Sequence, residues 1–251
     1  MGATGIKDFP GYHAAVPMHN SATKGLTWLL WHGEYPEVRN VWMELADGWL
    51  EATMRAEDGK LAGFPPLAVA QKNDRLGGLK GTWWDPQLGW SYYGNPGQAL
   101  KIYRLLTAAY QFSRDEKYLA PLDTALHIAE NYTPSKGFTP EPPSAEWQKQ
   151  LLHTWLESGG FTPLLLRCKR ATGTTRFDPY LTKGEKGPLT EFMIDGTVKP
   201  AIDRLESLLE KGRPMHHNFY TSIRYNFPYW TQEALCTDRV YMWGMQELYS
   251  L

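Results

Sequence analysis

From Pro36 onward the apolar residues Val38, Val41, Trp42, Leu45, Trp49 and Leu50 recur at three- and four-residue steps, and period-two alternation is nearly absent from the chain. That combination restricts the molecule to an all-α fold with few or no strands. The helical stretches also come in pairs. Before Pro36, a helix is expected from about Ser21, whose hydroxyl suits an N-cap, to His32, with Gly33 as its stop and Leu26, Leu29 and Leu30 as its stripe. Pro36 suits the first turn of the second helix, which runs toward Asp58-Gly59 and completes an antiparallel hairpin.

A second hairpin follows. Ala99 to Ser113 carries Leu100, Tyr103, Leu106 and Tyr110, and Lys117 to Tyr132 carries Leu119, Leu122, Leu126 and Ala129. Pro134, Pro140, Pro142 and Pro143 then rule out helix until about Ala145. Trp147 to Glu157 and Leu164 to Ala171 are expected as two pieces, separated by Gly159, Gly160 and Pro163. Pro188 to Ile194, Val198 to Leu209 and Thr231 to Tyr249 complete the helices.

Three long loops interrupt them: Lys60–Pro96, Thr133–Ser144 and Arg213–Trp230. Loops of this length in a compact chain are usually functional. The first holds Trp83, Trp84, Trp90, Tyr92 and Tyr93 beside Asp85 and several glycines, a mixture suited to gripping a flat polar ligand. Hairpins joined by long aromatic loops on one side describe a ring of antiparallel helices better than a simple bundle, whose loops are short.

Composition removes several functions. With 26 basic and 27 acidic side chains the formal charge is −1, so no global field draws in nucleic acid or an anionic membrane. No apolar run approaches the roughly 20 residues that span a bilayer. Cys168 and Cys236 are too few for a disulfide framework and are expected as buried thiols. Phosphate loops and dinucleotide fingerprints are missing, since Gly77-Gly78 lacks both their spacing and a preceding strand. No cofactor is expected. Nor is a metal: His216 and His217 are adjacent and no HExxH or CxxC pattern occurs, which leaves His13, His19 and His32, whose distances the sequence does not give, as the remaining candidate ligands. His127 and His153 read as ordinary core or surface histidines.

Two sets of residues suit chemistry on glycans. His216, His217, Asn218, Tyr220, Arg224 and Tyr225 share the third loop. β-Elimination on a uronate needs a donor that neutralises the C6 carboxylate, a base for the C5 proton and an acid for the leaving oxygen. Asn218, His217, Arg224 and Tyr220 are of those types, with His19 and Asn20, after Tyr12 and His13, as a second group. The other set is acidic: Asp85, Glu233 and Asp238 would serve a hydrolase, which needs two carboxyl groups across the scissile bond. Capping and ion pairing are the stronger account of Glu233 and Asp238. Packing of an aromatic, His-rich loop accounts for much of the first set.

PMHNSATKGLTWLLWHGEYPEVRNVWMELADGWLEATMRAEDGKLAGFPP, the following WWDP, LLTAAYQFSRDEKYLAPL and YWTQEALCTDRVY together resemble α/α-toroid proteins, helical-hairpin rings associated with polysaccharide degradation. Arg114 to Leu119 stands where such proteins repeat a phrase at hairpin turns. The resemblance implies a single domain over 1–251, and 251 residues are short for six hairpins, so a toroid or an incomplete arc of one is expected. It further implies a carbohydrate-active enzyme, first a polysaccharide lyase on an acidic glycan, otherwise a glycoside hydrolase or a non-catalytic glycan-binding domain. His217, Asn218, Tyr220, Arg224 and His19 would be catalytic. Trp83, Trp84, Asp85, Trp90, Tyr92, Tyr93, Asn20, Tyr225 and Trp230 would hold the polysaccharide or oligosaccharide. An extracellular or periplasmic setting is implied, with no signal peptide in the chain as written, and assembly of arcs into a homo-oligomer would cover exposed hairpin faces.

Overall fold

A computed structural model of the chain describes residues 14–17, 23–70, 73–77, 81–85, 96–135, 137 and 139–181. It divides into two compact units, Met1–Leu156 and Glu157–Leu251, each taken by itself below. The described residues are mostly helical, as expected of an all-α chain. Among them no helix is long and apolar enough to cross a membrane.

In the first unit, α1 (Lys24–His32) and α2 (Pro36–Met54) form the first hairpin, with Pro36 at the start of α2. Trp42, Ala46, Trp49 and Ala52 make the buried face of α2, a heptad-like stripe that alternates large and small side chains. α3 (Leu100–Ser113), preceded by a 3-10 turn over Pro96–Ala99, packs on α2. Phe112 joins three helices: its ring lies edge-on to Trp42 of α2 at 5.4 Å and tilted against Trp31 of α1 at 6.4 Å. The Phe112 carbonyl, an orphan acceptor at the end of α3, takes a 2.6 Å hydrogen bond from the Arg39 guanidinium.

Arg114 ends α3 in the left-handed region, φ 59°, and a 3-10 turn over Glu116–Tyr118 leads into α4 (Ala120–Glu130). The helix expected from Lys117 therefore starts three residues later. Asp115 accounts for the delay, because its Oδ1 accepts from the Lys117 amide and caps the tighter turn instead. α5 (Ala145–Glu157) closes the unit: His153 Nδ1 lies 3.0 Å from the Ala129 carbonyl of α4, and the His153 ring meets Tyr132 edge-on.

Among the described residues two short strands occur: β1 (Ala14–Ala15) pairs antiparallel with β2 (Val69–Ala70), Ala14 opposite Ala70. Between α2 and α3 the long loop is not peripheral. Gly63 to Ala68 is buried throughout, with Phe64 at its centre. Phe64 is enclosed by Trp83 (5.8 Å, edge-on), Trp147 (6.0 Å, tilted) and Trp155 (5.9 Å, stacked). Aromatic contacts of this geometry add roughly 0.5–1.5 kcal/mol each beyond the area they bury.

α2 ends at Met54, four residues short of the expected Asp58. The Thr53 carbonyl accepts from the Gly63 amide at 3.0 Å and the Lys60 ammonium at 2.8 Å, so the chain folds back on the helix end instead of continuing it.

In the second unit, α6 (Thr162–Thr172) carries Pro163 in its first turn and ends at Gly173, φ 75°, as Gly159, Gly160 and Pro163 led one to expect. α7 (Asp178–Leu181) is a single turn that no periodicity foretold, held to α6 by a 2.8 Å ion pair from Lys169 to Asp178. Cys168 is buried, as expected; Cys236 lies outside the described residues.

Candidate functional site

The candidate site available to geometry is the WWD turn, built on the knotted segment 55–66. Segment by segment, the knot satisfies its own backbone. Lys60 N donates to Glu57 O, the Trp83 indole N–H donates to Asp58 O at 3.0 Å, and the Tyr103 hydroxyl of α3 donates to Gly63 O at 2.7 Å. Gln148 of α5, fully buried, works in both directions: its Oε1 accepts from Leu61 N and its Nε2 donates to Gly59 O, both at 2.8 Å. Buried main-chain groups must find partners, and here side chains from three other elements supply them.

Gly63 and Gly77 fit where no other residue would. Gly63 has φ +85° and lies against α4, so that a Cβ would meet Thr124 Cβ and Cγ2 at 2.8 Å. Gly77, φ +91°, passes so close under the turn that a Cβ would fall 2.1 Å from the Thr82 carbonyl carbon. Gly77 N also donates to Ala68 O. The loop is thus folded back on itself as a packed layer.

On that layer sits the turn Thr82–Asp85. Thr82 N donates to Asp85 O at 2.8 Å, and Asp85 N donates to Thr82 Oγ1 at 3.1 Å. Trp83 is placed in the core, 1% exposed, its carbonyl accepting from Leu67 N. What Trp83 offers a ligand is therefore position and not a stacking face. Trp84 is half-buried and Asp85 exposed, so an aromatic residue and a carboxylate follow one another on a turn whose base is fixed by Trp83. His32, weighed as a metal ligand, is exposed at the end of α1. Among the described residues no group of three or more His, Cys, Asp or Glu is arranged to hold a metal.

The other expected site residues lie outside the described residues: His19, Asn20, Trp90, Tyr92 and Tyr93, together with His217, Asn218, Tyr220, Arg224, Tyr225 and Trp230. So do Glu233 and Asp238, the partners weighed for Asp85.

No family model, curated protein or solved structure matches the chain.

Two polar clusters of the first unit have shifted proton affinities. Burial, reinforced by the Arg55 cation and opposed by Glu57, pushes the Lys60 ammonium down to about 7. At the second hairpin, Asp47 of α2 receives Tyr118 Oη at 2.7 Å and Lys117 Nζ at 2.9 Å. Burial raises the Asp47 carboxyl, but the bonds from Lys117 and Tyr118 outweigh it and leave the group below its ordinary value. Its partners rise: Lys117 chiefly through the bond to Asp47, and Tyr118 to about 12 through burial and then the same carboxylate. This fastens the Arg114–Leu119 turn to α2, a structural use for the phrase that the toroid resemblance singles out.

Sequence reasoning passed over Lys60, Phe64 and Gln148. A signal for the first two was present: Leu61 to Ala70 contains no polar side chain, and ten such residues belong in a core. Gln148 left no signal, since its partners stand 87 and 89 positions away.

Proposed function

We propose that the chain is a carbohydrate-active protein, foremost a polysaccharide lyase that cleaves an acidic, uronate-containing glycan by β-elimination, its helical hairpins forming a toroid or an arc of one. The observation that supports this most directly is the Thr82–Asp85 turn, where half-buried Trp84 and exposed Asp85 stand together on a core-anchored base. An aromatic face suits the apolar side of a pyranose, and a neighbouring carboxylate suits its hydroxyls.

In the proposed reaction, Asn218, His217 or Arg224 neutralises the C6 carboxylate, and Tyr220 or His217 takes the C5 proton. The C5 electron pair forms the C4–C5 double bond as the C4–O bond breaks, and the departing oxygen is protonated. These roles follow from residue type and from the toroid resemblance. Trp84 and Asp85 would contribute binding.

A panel of uronate polymers tests the reading. Cleavage should generate the absorbance of an unsaturated uronate, and Tyr220→Phe should abolish it. Release of reducing ends without that chromophore, silenced by Asp85→Asn, would instead identify a glycoside hydrolase. Retardation in affinity electrophoresis with both assays flat, lost in Trp84→Ala, would identify a binding domain. No response in any of the three would overturn the glycan assignment.

A further inference from the structure

Burying an ammonium costs it its water shell, and a carboxylate usually offsets the loss. Lys60 departs from that pattern. It is 2% exposed, and its Nζ donates to three carbonyl oxygens, Thr53 at 2.8 Å, Leu61 at 3.0 Å and Phe64 at 2.8 Å. Among the described residues no carboxylate pairs with it. The charges that act on it are Arg55 and Glu57, both on its own segment. From the elements packed around the knot, the facing groups are neutral: the buried Tyr103 hydroxyl of α3, kept protonated by burial, the Gln148 amide of α5, Thr124 of α4 and the Trp83 indole.

Three acceptors match the three N–H bonds of an ammonium, whereas a neutral amine has two N–H bonds and a lone pair. Loss of the proton must therefore release one carbonyl. The three are not equivalent. The bonds to Thr53 and Phe64 are the shorter and are buried, while that to Leu61 is the longest and partly buried. Leu61 O keeps a second donor, the Phe64 amide at 3.2 Å, as Thr53 O keeps the Gly63 amide at 3.0 Å; it is the longer, partly buried ammonium bond that singles out Leu61 for release.

We propose that Lys60 is a proton-operated switch inside the knot, alternating between a three-bond ammonium and a two-bond amine that releases the Leu61 carbonyl. Desolvation by burial places the change near neutral pH. Two residues before Lys60, Asp58 O holds the Trp83 indole, so the switch stands beside the base of the WWD turn.

Carbon-13 NMR of the wild-type, full-length protein between pH 5.5 and 9 tests this without requiring any variant to fold. One lysine Cε should titrate with a midpoint near 7, and the Leu61 carbonyl carbon should follow with the same midpoint, while those of Thr53 and Phe64 move little. Lys60→Met should delete the titrating signal; should that variant not fold, through-bond assignment from Lys60 in the wild type serves instead. A Lys60 amine titrating in the ordinary lysine range, or a Leu61 carbonyl that does not follow it, would overturn the proposal.

Discussion

A single methyl group separates Gly77 from alanine, and the fold has no space for it. Both the positive φ and the 2.1 Å approach to the Thr82 carbonyl carbon act against Gly77→Ala, and the obstacle is backbone, which cannot rotate away. The substitution should cost at least about 1–3 kcal/mol, the range for a residue held in a disfavoured backbone region, as measured by urea unfolding. Gly173→Ala is its control: φ is +75°, but nothing lies within 4 Å of the added carbon. Gln148→Leu addresses satisfaction instead of space. It leaves Leu61 N and Gly59 O without their partner in part-buried positions, and because Gly59 is exposed and its carbonyl can turn to water, the loss should be about 1–3 kcal/mol in all, mostly at Leu61 N. Lys60 adds a dependence on pH. Its folded value, about 7, lies below the ordinary 10.5, so between those limits the unfolded chain binds a proton that the folded chain does not. Stability from this group therefore rises with pH across that window and is unaffected below it. The stability difference between wild type and Lys60→Met should shift in favour of wild type from pH 7 to pH 10; a constant difference would contradict the assignment.

At the level of elements, one carboxylate adds a polar tie to the aromatic packing between the first and second hairpins. Asp47 accepts from both Lys117 and Tyr118, and the two bonds differ in worth. Lys117 and Asp47 are each about half exposed, so their ion pair is screened and should contribute no more than about 1 kcal/mol. Tyr118, whose ring is buried, should lose about 0.5–1.5 kcal/mol on conversion to phenylalanine. Because the Asp47 carboxyl is held below 3.8 in the folded chain, its contribution is complete above that value and disappears as pH falls through the folded one. Asp47→Asn should therefore be less stable than wild type at pH 7, and the gap should close toward pH 2 in thermal melts. The helices themselves were largely legible. α2, α3, α4 and α5 lie where three- and four-residue spacing puts them, because that periodicity is a local property of the chain. Their ends were less so: α2 stops where Lys60 and Gly63 claim the Thr53 carbonyl, partners that lie beyond the helix.

Across the whole molecule, the unit Met1–Leu156 contains the Phe64 enclosure, the 55–66 knot and both hairpins. A unit with its own core should fold alone. Residues 1–156 expressed separately should give a helical circular dichroism spectrum and one cooperative melt; a broad, non-cooperative melt would show that this core is insufficient. On the same unit Leu26, Leu29, Tyr35 and Val41 of the first hairpin are exposed, although the periodicity of α1 and α2 assigns most of them to an apolar stripe. Periodicity reports that a face is apolar, and says nothing about whether another element covers it.

The candidate site divides along the same line. Composition alone marked Lys60–Pro96 as unusual, because tryptophan, tyrosine, glycine and aspartate seldom concentrate in a stretch without helical spacing. It also supplied the residue types for glycan chemistry. It could not separate Trp83 from Trp84, since adjacent tryptophans are identical in type; the indole bond to Asp58, 25 positions away, and the Phe64 ring put Trp83 in the core, while Trp84 stays half-buried. Helical hairpins were determined by neighbours three and four residues apart. The knot that turns this part of the loop into core was decided by Trp83, Tyr103 and Gln148 meeting the same twelve-residue segment that Lys60 ties from within, because a carbonyl accepts whichever donor the fold brings to it, however distant in the chain.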